Sequence, residues 1–237
     1  MVYELCYSMI LFFLYSVFGY VLEVISVSTK EKKLELSRGY LIGPYIPVFG
    51  FGALIITIFL SGYENNIITL FILGMVYCCS LEYFTSYIME KIFHLRWWDY
   101  AYRKYNLNGR ICLETGVGFG VGAICIVKVF NPFLFNILDN LERNTIYTLG
   151  LIFFIIIMCD FLLSTFTIIR LKIDTSKYIN KDATLKVKRE VRESIEKYMF
   201  FYKRLFKAFP TLSRDNIYFV KIRQLIDKIM KKERKKK

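Results

Sequence analysis

Apolar residues are concentrated in five blocks along the chain, and a polar stretch separates each block from the next. The blocks cover residues 5–27, 41–60, 67–89, 111–130 and 145–169. The hydrocarbon core of a bilayer, about 30 Å thick, takes about 20 helical residues, so each block is long enough to span it. The pattern therefore predicts an all-α, polytopic membrane protein with five transmembrane helices.

The net charge of +13 lies in the C-terminal part of the chain. Residues 171–237 hold 21 Lys/Arg against eight Asp/Glu, whereas residues 1–170 hold twelve of each. Hydrophobic residues make up 55% of the sequence, which is more than a soluble domain needs and supports a membrane protein. We therefore predict a membrane domain over residues 1–170 and a basic cytosolic helical tail over residues 171–237.

Basic residues between the blocks alternate from one connection to the next. The connections after the first and third blocks carry four and five Lys/Arg, whereas those after the second and fourth carry none and one. Short connections rich in Lys and Arg stay on the cytoplasmic side. The predicted topology has the N-terminus outside and the C-terminus inside.

Four acidic residues lie inside the predicted spans, namely Glu23, Glu82, Glu114 and Asp160. Charged side chains at that depth are costly and face a partner or a polar cavity. All four fall in the cytoplasmic halves of their helices, which makes them candidates for one polar site open to the cytosol. The alternative is that each is satisfied separately. Glu23 would then pair with Lys30 or Arg38, and Glu114 with Arg110.

Three polar residues of the third block share one helix face. Glu82, Ser86 and Glu90 follow one another at intervals of four residues, which places them on the same side of a helix. Glu82 lies deepest and has no basic residue within reach on its own helix. We expect Arg96 or Arg110, from the connection that follows, to be its counter-charge.

The first cytoplasmic connection is rich in Gly and Pro, with the sequence RGYLIGPYIPVFGFG over residues 38–52. That density prevents a regular helix start and predicts a broken or re-entrant segment. Such backbone is tolerated at membrane depth only when it is buried in protein or lines a wet cavity. The alternative is a kinked helix entry with no further role. The candidate site residues here are Arg38, Gly43, Pro44 and Pro47.

The second cytoplasmic connection contains both tryptophans of the chain between Arg96 and Asp99. An aromatic belt at the membrane interface would explain the tryptophans alone. It would not explain their charged neighbours, because an Arg beside aromatics and carboxylates also binds anions, lipid headgroups or partner helices. The candidate site residues here are Arg96, Trp97, Trp98, Asp99, Asn106 and Arg110.

The sequence contains no metal-ligand spacing and no motif of a known chemistry, so no cofactor, metal or catalytic residue is expected. A glycine-rich run at residues 116–122 follows no predicted strand, which sets aside dinucleotide binding. It contains two interleaved G-x-x-x-G pairs instead. Such pairs let membrane helices approach closely.

Four motifs occur in order along residues 15–111. They are YSxxGxxxE at 15–23, RGxLxGPxxPxxGxG at 38–52, EYxxSxxxEKxFxxRWWDY at 82–100 and NxxGRI at 106–111. Together they resemble the bacterial family labelled "putative type IV ABC-transporter permease", over about residues 8–130. Tyr20 departs from the family pattern, which has Trp there.

The resemblance implies a small multi-pass protein of the bacterial cytoplasmic membrane that takes part in transport, and it names no substrate. It also implies a separate ATPase subunit, because the sequence contains no G-x-x-x-x-G-K-[ST] phosphate loop. Five helices are few for a transport path, so a permease of this size is expected to work as a homodimer.

Two apolar seams run along the basic tail. The first predicts a helix over about residues 181–209, closed by Pro210, and the second predicts a helix after it. This hairpin would bind anionic lipid or a partner protein, or stand in solvent without a partner. Nucleic acid is not an expected partner. The seam residues are Val191, Ile195, Tyr198, Tyr202, Leu205 and Phe209, then Tyr218, Ile222, Leu225 and Ile229.

Three functions fit these observations. The first is a membrane-embedded transporter subunit with a polar site open to the cytosol, which the resemblance and the acids within the spans favour. The second is a membrane enzyme at the cytosolic interface that uses Glu82 or Asp160 as acid or base near Arg96 and Arg110. The third is a membrane scaffold or regulator that works through the tail.

Overall fold

A computed structural model of the chain describes residues 1–34, 36, 39–93, 96–179, 185–208 and 217–234. Within these residues the structure is helical apart from one short hairpin, which confirms the predicted all-α class. The hairpin pairs β1 (Asn106–Leu107) with β2 (Ile111–Cys112) in antiparallel fashion. The helices are α1 (Val2–Glu31), α2 (Pro47–Leu60), α3 (Ile67–Phe93), α4 (Leu113–Cys125), α5 (Asn131–Asp139), α6 (Arg143–Ile179), α7 (Leu185–Ala208) and α8 (Ile217–Arg234).

Four helical segments in the described part of the chain are long and apolar enough to cross a bilayer. Large apolar side chains are exposed along them, as expected for surfaces that face lipid rather than water. The chain is therefore a multi-pass membrane protein. The four segments are Val2–Thr29, Ile67–Phe93, Leu113–Asp139 and Arg143–Tyr178.

The second predicted span begins with a non-helical segment and contains a helix shorter than the other predicted spans. Residues 39–46 are not helical, and α2 begins only at Pro47 and has 14 residues. At 1.5 Å per residue this helix is about 21 Å long, shorter than the hydrocarbon core. The broken segment predicted from Gly and Pro is therefore present, and it takes up the first part of the apolar block. Pro47 lies in the first helical turn, where a missing N–H costs nothing.

The fourth span extends beyond its predicted end. Residues 131–139, expected to belong to an external connection, form α5, which a π-helical turn (Ile126–Phe130) joins to α4. Pro132 has no N–H to donate to the preceding turn, and the π turn accommodates this by pairing the Asn131 N–H with the Ile126 carbonyl.

Helices α1 and α6 lie side by side and run in the same direction. Near their N-termini the rings of Tyr3 and Tyr147 form an edge-to-face pair, and further along Phe13 stacks on Phe153 with centroids 4.1 Å apart. Helix α6 continues as one helix of 37 residues through the predicted boundary at residue 170. That boundary between membrane domain and tail stays a prediction.

One of the two G-x-x-x-G pairs of α4 packs against α3. A Cβ at Gly116 or Gly120 would crowd the side chains of Cys79 or Phe71 on α3, so these glycines allow the two helices to approach closely. The other pair, residues 118 and 122, has open space beside it.

The tail helices pack on the C-terminal part of α6. The first seam is confirmed at its four fully buried positions Val191, Ile195, Tyr202 and Leu205, and Tyr198 is half-buried. In the second seam Ile222 and Ile229 are buried and Leu225 is half-buried. The side chains of Phe209, Pro210 and Tyr218 lie outside the described residues.

Trp97 belongs to the same core as the tail helices. It is only 4% exposed and packs with Ile168 and Leu171 of α6 and with the seam residues of α7. The interfacial aromatic belt considered for this residue is therefore wrong, because its ring is covered by protein. The motif at residues 96–100 thereby contacts the tail.

Candidate functional site

The segment after α3 folds back over the C-terminal end of that helix. Asn106 supports the turn of the hairpin, because its side-chain amide donates to the Arg103 carbonyl at 2.6 Å and its Oδ1 accepts the Gly109 N–H at 2.9 Å. The Tyr100 N–H donates to the Gly109 carbonyl at 2.8 Å and closes the segment on itself. This returns Arg110 to the face of α3 that carries the polar residues.

Glu82 is buried under this segment, with 9% of its surface exposed. The Tyr100 hydroxyl donates to its Oε1 at 3.1 Å, while its Oε2 has no hydrogen-bond partner among the described residues. Burial raises the pKa of the Tyr100 hydroxyl, and the carboxylates of Glu82 and Glu23 raise it further. Tyr100 therefore remains a protonated donor. The carboxylate of Glu23 on α1 contributes to this through its charge. We call Glu82, Ser86, Glu90, Tyr100 and Arg110 the Glu82 site.

The two arginines expected to neutralise Glu82 bind Glu90 instead. Arg110 Nη1 lies 2.8 Å from Glu90 Oε2 and donates to the Ser86 hydroxyl at 3.2 Å. Arg96 Nε lies 3.6 Å from the same carboxylate oxygen. The Arg110 guanidinium also lies over the ring of Tyr87 at 5.4 Å, which holds it near Glu90. The shared face of Glu82, Ser86 and Glu90 is confirmed, but the partner of Glu82 is a tyrosine.

The charged residues around the tryptophans bind the hairpin. Arg96 donates to Asp99 Oδ1 at 3.2 Å and to the Asn108 carbonyl at 3.2 Å. The indole N–H of Trp98 donates to the Arg110 carbonyl at 3.0 Å. These contacts fix the segment that covers Glu82, so the RWWDY motif positions the cover of the site.

Two of the candidate acids have surroundings different from those expected. Glu114 is 65% exposed on its side chain and pairs with Arg103 at 2.8 Å; its expected partner Arg110 is bound to Glu90. Glu23 is half-buried, and its carboxylate raises the pKa of the Tyr100 hydroxyl. Arg38 and the side chain of Lys30 lie outside the described residues.

Asp160 holds the non-helical segment before α2. Its oxygens accept hydrogen bonds from the backbone N–H groups of Ile42 and Gly43 at 2.8 and 2.7 Å. They also accept from the hydroxyls of Tyr45 and Ser164 at 2.7 and 2.9 Å. These four donors stabilise the buried carboxylate. This explains how an acid deep in α6 is tolerated and how irregular backbone is satisfied at that depth.

The tail binds the other side of the same segment. Arg204 of α7 donates to the carbonyls of Gly39 and Leu41 through Nη1 and to that of Tyr40 through Nη2 at 2.8 Å. The peptide group after Leu41 therefore accepts from Arg204 at its oxygen and donates to Asp160 at its nitrogen. Burial lowers the pKa of Arg204, and the negative charge of Asp160 partly opposes this. We call Asp160, the 39–45 segment and Arg204 the Asp160 junction.

The Gly-Pro motif has a steric explanation within this junction. A Cβ at Gly43 would overlap the ring of Tyr45, whose hydroxyl must reach Asp160. Pro44 is exposed next to it. Sequence reasoning missed both Tyr45 and Arg204. Arg204 is one of 21 basic residues of the tail, and nothing in its sequence context distinguishes it from the others.

The candidate acids thus lie in different surroundings. Glu82 faces the cover formed by the second connection, Asp160 lies in its own junction, and Glu114 lies at the surface. Glu23 acts on the cover through its charge, which raises the pKa of Tyr100. In the part of the chain that the structure describes, no group of three or more His, Cys, Asp or Glu residues is placed to hold a metal ion.

A helical domain with several membrane-spanning segments defines the chain as an integral membrane protein. The family model described as Putative ABC-transporter type IV matches residues 10–165, about two thirds of the sequence. The chain belongs to this family, which confirms the resemblance carried by the four motifs. The match includes Asp160 and leaves α7 and α8 outside it. No curated protein and no solved structure matches the chain.

Proposed function

We propose that this protein is the membrane-embedded subunit of an ABC-type transporter of the bacterial cytoplasmic membrane, driven by a separate ATPase. In this proposal the Glu82 site opens to the cytosol and handles the transported ligand. Family membership supports the transport role. The observation that carries the role of the site is the buried carboxylate oxygen of Glu82 that lacks a donor among the described residues.

A buried polar atom without a partner costs about 1–3 kcal/mol, and more when it is charged. Such an atom is retained where a ligand, an ion or a proton satisfies it in part of a working cycle. The cover over Glu82 is a connection between helices, held by Tyr100 and Arg110. Movement of that cover would expose the free oxygen to the cytosol, which is why we assign ligand handling to this site rather than to the fully satisfied Asp160.

The proposal includes two partners, an ATPase subunit and a second copy of this chain. Four spanning segments and one short helix are few helices to enclose a transport path. The proposal therefore places the path between two copies of the chain. The open side of α4 at residues 118 and 122 is the place where a second copy would approach closely.

Purification from native membranes in mild detergent, followed by native mass spectrometry, tests both partners. We expect a complex that contains two copies of the chain and a co-purifying protein with a phosphate loop. ATP hydrolysis by the complex should be inhibited by vanadate. A chain that is always recovered alone, under conditions that preserve other membrane complexes, would contradict the transporter proposal.

The proposed orientation places the N-terminus outside, the tail inside and α2 across the membrane as a fifth, short span. In a background without the native cysteines, Glu64→Cys between α2 and α3 should react with a membrane-impermeant maleimide in intact cells. Lys33→Cys and Lys197→Cys should react only after permeabilisation. All three positions are exposed. Labelling of residue 64 only after permeabilisation would show that α2 does not cross, and labelling of residue 197 from outside would reverse the orientation.

A further inference from the structure

Helix α7 runs back toward the membrane along α6. The Ser194 hydroxyl donates to Asp174 at 2.7 Å, and one turn later the Tyr198 ring forms an edge-to-face contact with Phe166. Further along α7, Arg204 reaches the segment held by Asp160. Tyr198 and Arg204 therefore reach positions nearer the membrane-spanning part than Ser194 does, while the Tyr202 hydroxyl, like that of Ser194, donates to Asp174. The C-terminal half of α7 lies at the end of the membrane-spanning part.

The contacts with α6 indicate how deep the C-terminal half of α7 lies relative to the membrane. Arg170 is the first basic residue after the apolar stretch of α6, and its guanidinium lies over the Tyr198 ring at 5.9 Å. Phe166, on the apolar side of Arg170, is half exposed on the surface of α6 and also touches Tyr198. Tyr198 therefore marks the level where hydrocarbon gives way to headgroups, the level that amphipathic aromatic and basic side chains prefer.

The charge of α7 changes from mixed to purely basic at this level. Its acidic residues all precede position 197, whereas residues 197–208 contain four basic residues and no acidic one. Phe200 lies opposite the buried seam and is 70% exposed. Lys203 and Lys207 follow it at intervals of three and four, so the three residues share one helix side, which we call the Phe200 face. Arg204, one turn from Phe200, is already bound to the 39–41 carbonyls.

We propose that the Phe200 face binds anionic phospholipid headgroups of the adjacent leaflet, with the Phe200 ring inserted among them and the two lysines at their phosphates. The large exposed aromatic, the absence of acids at this end and the contact of its neighbour with a membrane-depth segment all favour lipid over a soluble protein. The choice of the inner leaflet rests on the proposed orientation. The binding itself depends only on the depth of α7.

The test uses the full-length protein with an environment-sensitive fluorophore at Phe200→Cys, in a background without native cysteines. In nanodiscs that contain phosphatidylglycerol we expect blue-shifted emission and about twofold weaker quenching by iodide than in pure phosphatidylcholine, with the difference reduced at high salt. The pair Lys203→Glu and Lys207→Glu should abolish the difference. The matched control is Arg189→Cys, exposed on the same side of α7 about three turns away, which should respond to neither lipid.

Three results would overturn this proposal. The probe at residue 200 would show the same emission in both lipids, or remain quenched as strongly as the probe at residue 189, or shift only after a soluble cell fraction is added. The last result would identify a protein partner instead of lipid. The readout needs no transport or ATP hydrolysis, so failure here is distinguishable from failure of the proposed transporter function.

Discussion

Replacing Glu82 by Gln is expected to reduce vanadate-sensitive ATP hydrolysis of the reconstituted complex at least about tenfold while the protein remains folded. Gln keeps the shape of the side chain and an oxygen that accepts from Tyr100, so only the charge and the free carboxylate oxygen are lost. The melting temperature of the variant in detergent should stay within about 4 °C of that of the wild type. The substitution should change the free energy of unfolding by less than about 1 kcal/mol, because the packing is kept.

The matched control is Glu114→Gln. Glu114 faces the same connection but is exposed and pairs with Arg103 at the surface, a kind of ion pair that contributes about 0–1 kcal/mol. Its activity and melting temperature should match those of the wild type. Tyr100→Phe, which removes the donor to Glu82, should lose activity in the same direction as Glu82→Gln. Normal hydrolysis by Glu82→Gln would show that the charge is dispensable and that this part of the protein serves packing.

Replacing Asp160 by Ala is expected to destabilise the protein by about 3–5 kcal/mol, the cost of breaking a buried charged network around a carboxylate whose two oxygens are both hydrogen-bonded. The substitution leaves two backbone N–H groups and the Tyr45 hydroxyl without their acceptor. It also removes the negative charge that stabilises buried Arg204 through the intervening peptide. Thermal and denaturant unfolding in detergent, followed by size-exclusion fluorescence, would measure the loss.

A double-mutant cycle tests whether the junction works as one unit. Arg204→Met removes the donor to the 39–41 carbonyls, and its effect should be smaller in the Asp160→Ala background than in the wild type by at least about 0.5 kcal/mol. The control is Arg192→Met, which removes only an exposed pair with Glu196 and should change stability by less than about 0.5 kcal/mol. Additive effects of the Asp160 and Arg204 substitutions would show that the tail does not support the segment before α2.

A coupled Asp160 junction would have a consequence for transport. The tail would then hold the segment before α2 from one side through Arg204, while Asp160 of α6 holds it from the other. Trp97 adds a second contact, because the connection that covers Glu82 shares its core with α7 and α8. The tail is thus in contact with the motifs at residues 38–52 and 82–100.

Much of the membrane domain follows from local sequence. The length of an apolar block is a property of contiguous residues, so the class of the protein and four of its spanning segments could be predicted without knowing any contact. The same holds for the common face of Glu82, Ser86 and Glu90 and for the buried seam of α7, because helical periodicity alone determines them. The density of Gly and Pro likewise indicated the break before α2.

The partners of the buried polar groups were decided by the tertiary structure alone. From charge alone, Arg96 and Arg110 are the predicted partners of Glu82. Closure of the hairpin instead brings Tyr100 to Glu82, and both arginines bind Glu90. Which of many tail cations reaches the 39–41 carbonyls depends on the register of α7 against α6, a non-local quantity. A buried ionisable group is bonded by whichever donor chain folding brings within about 3 Å. The order of charges along the sequence does not determine which donor that is.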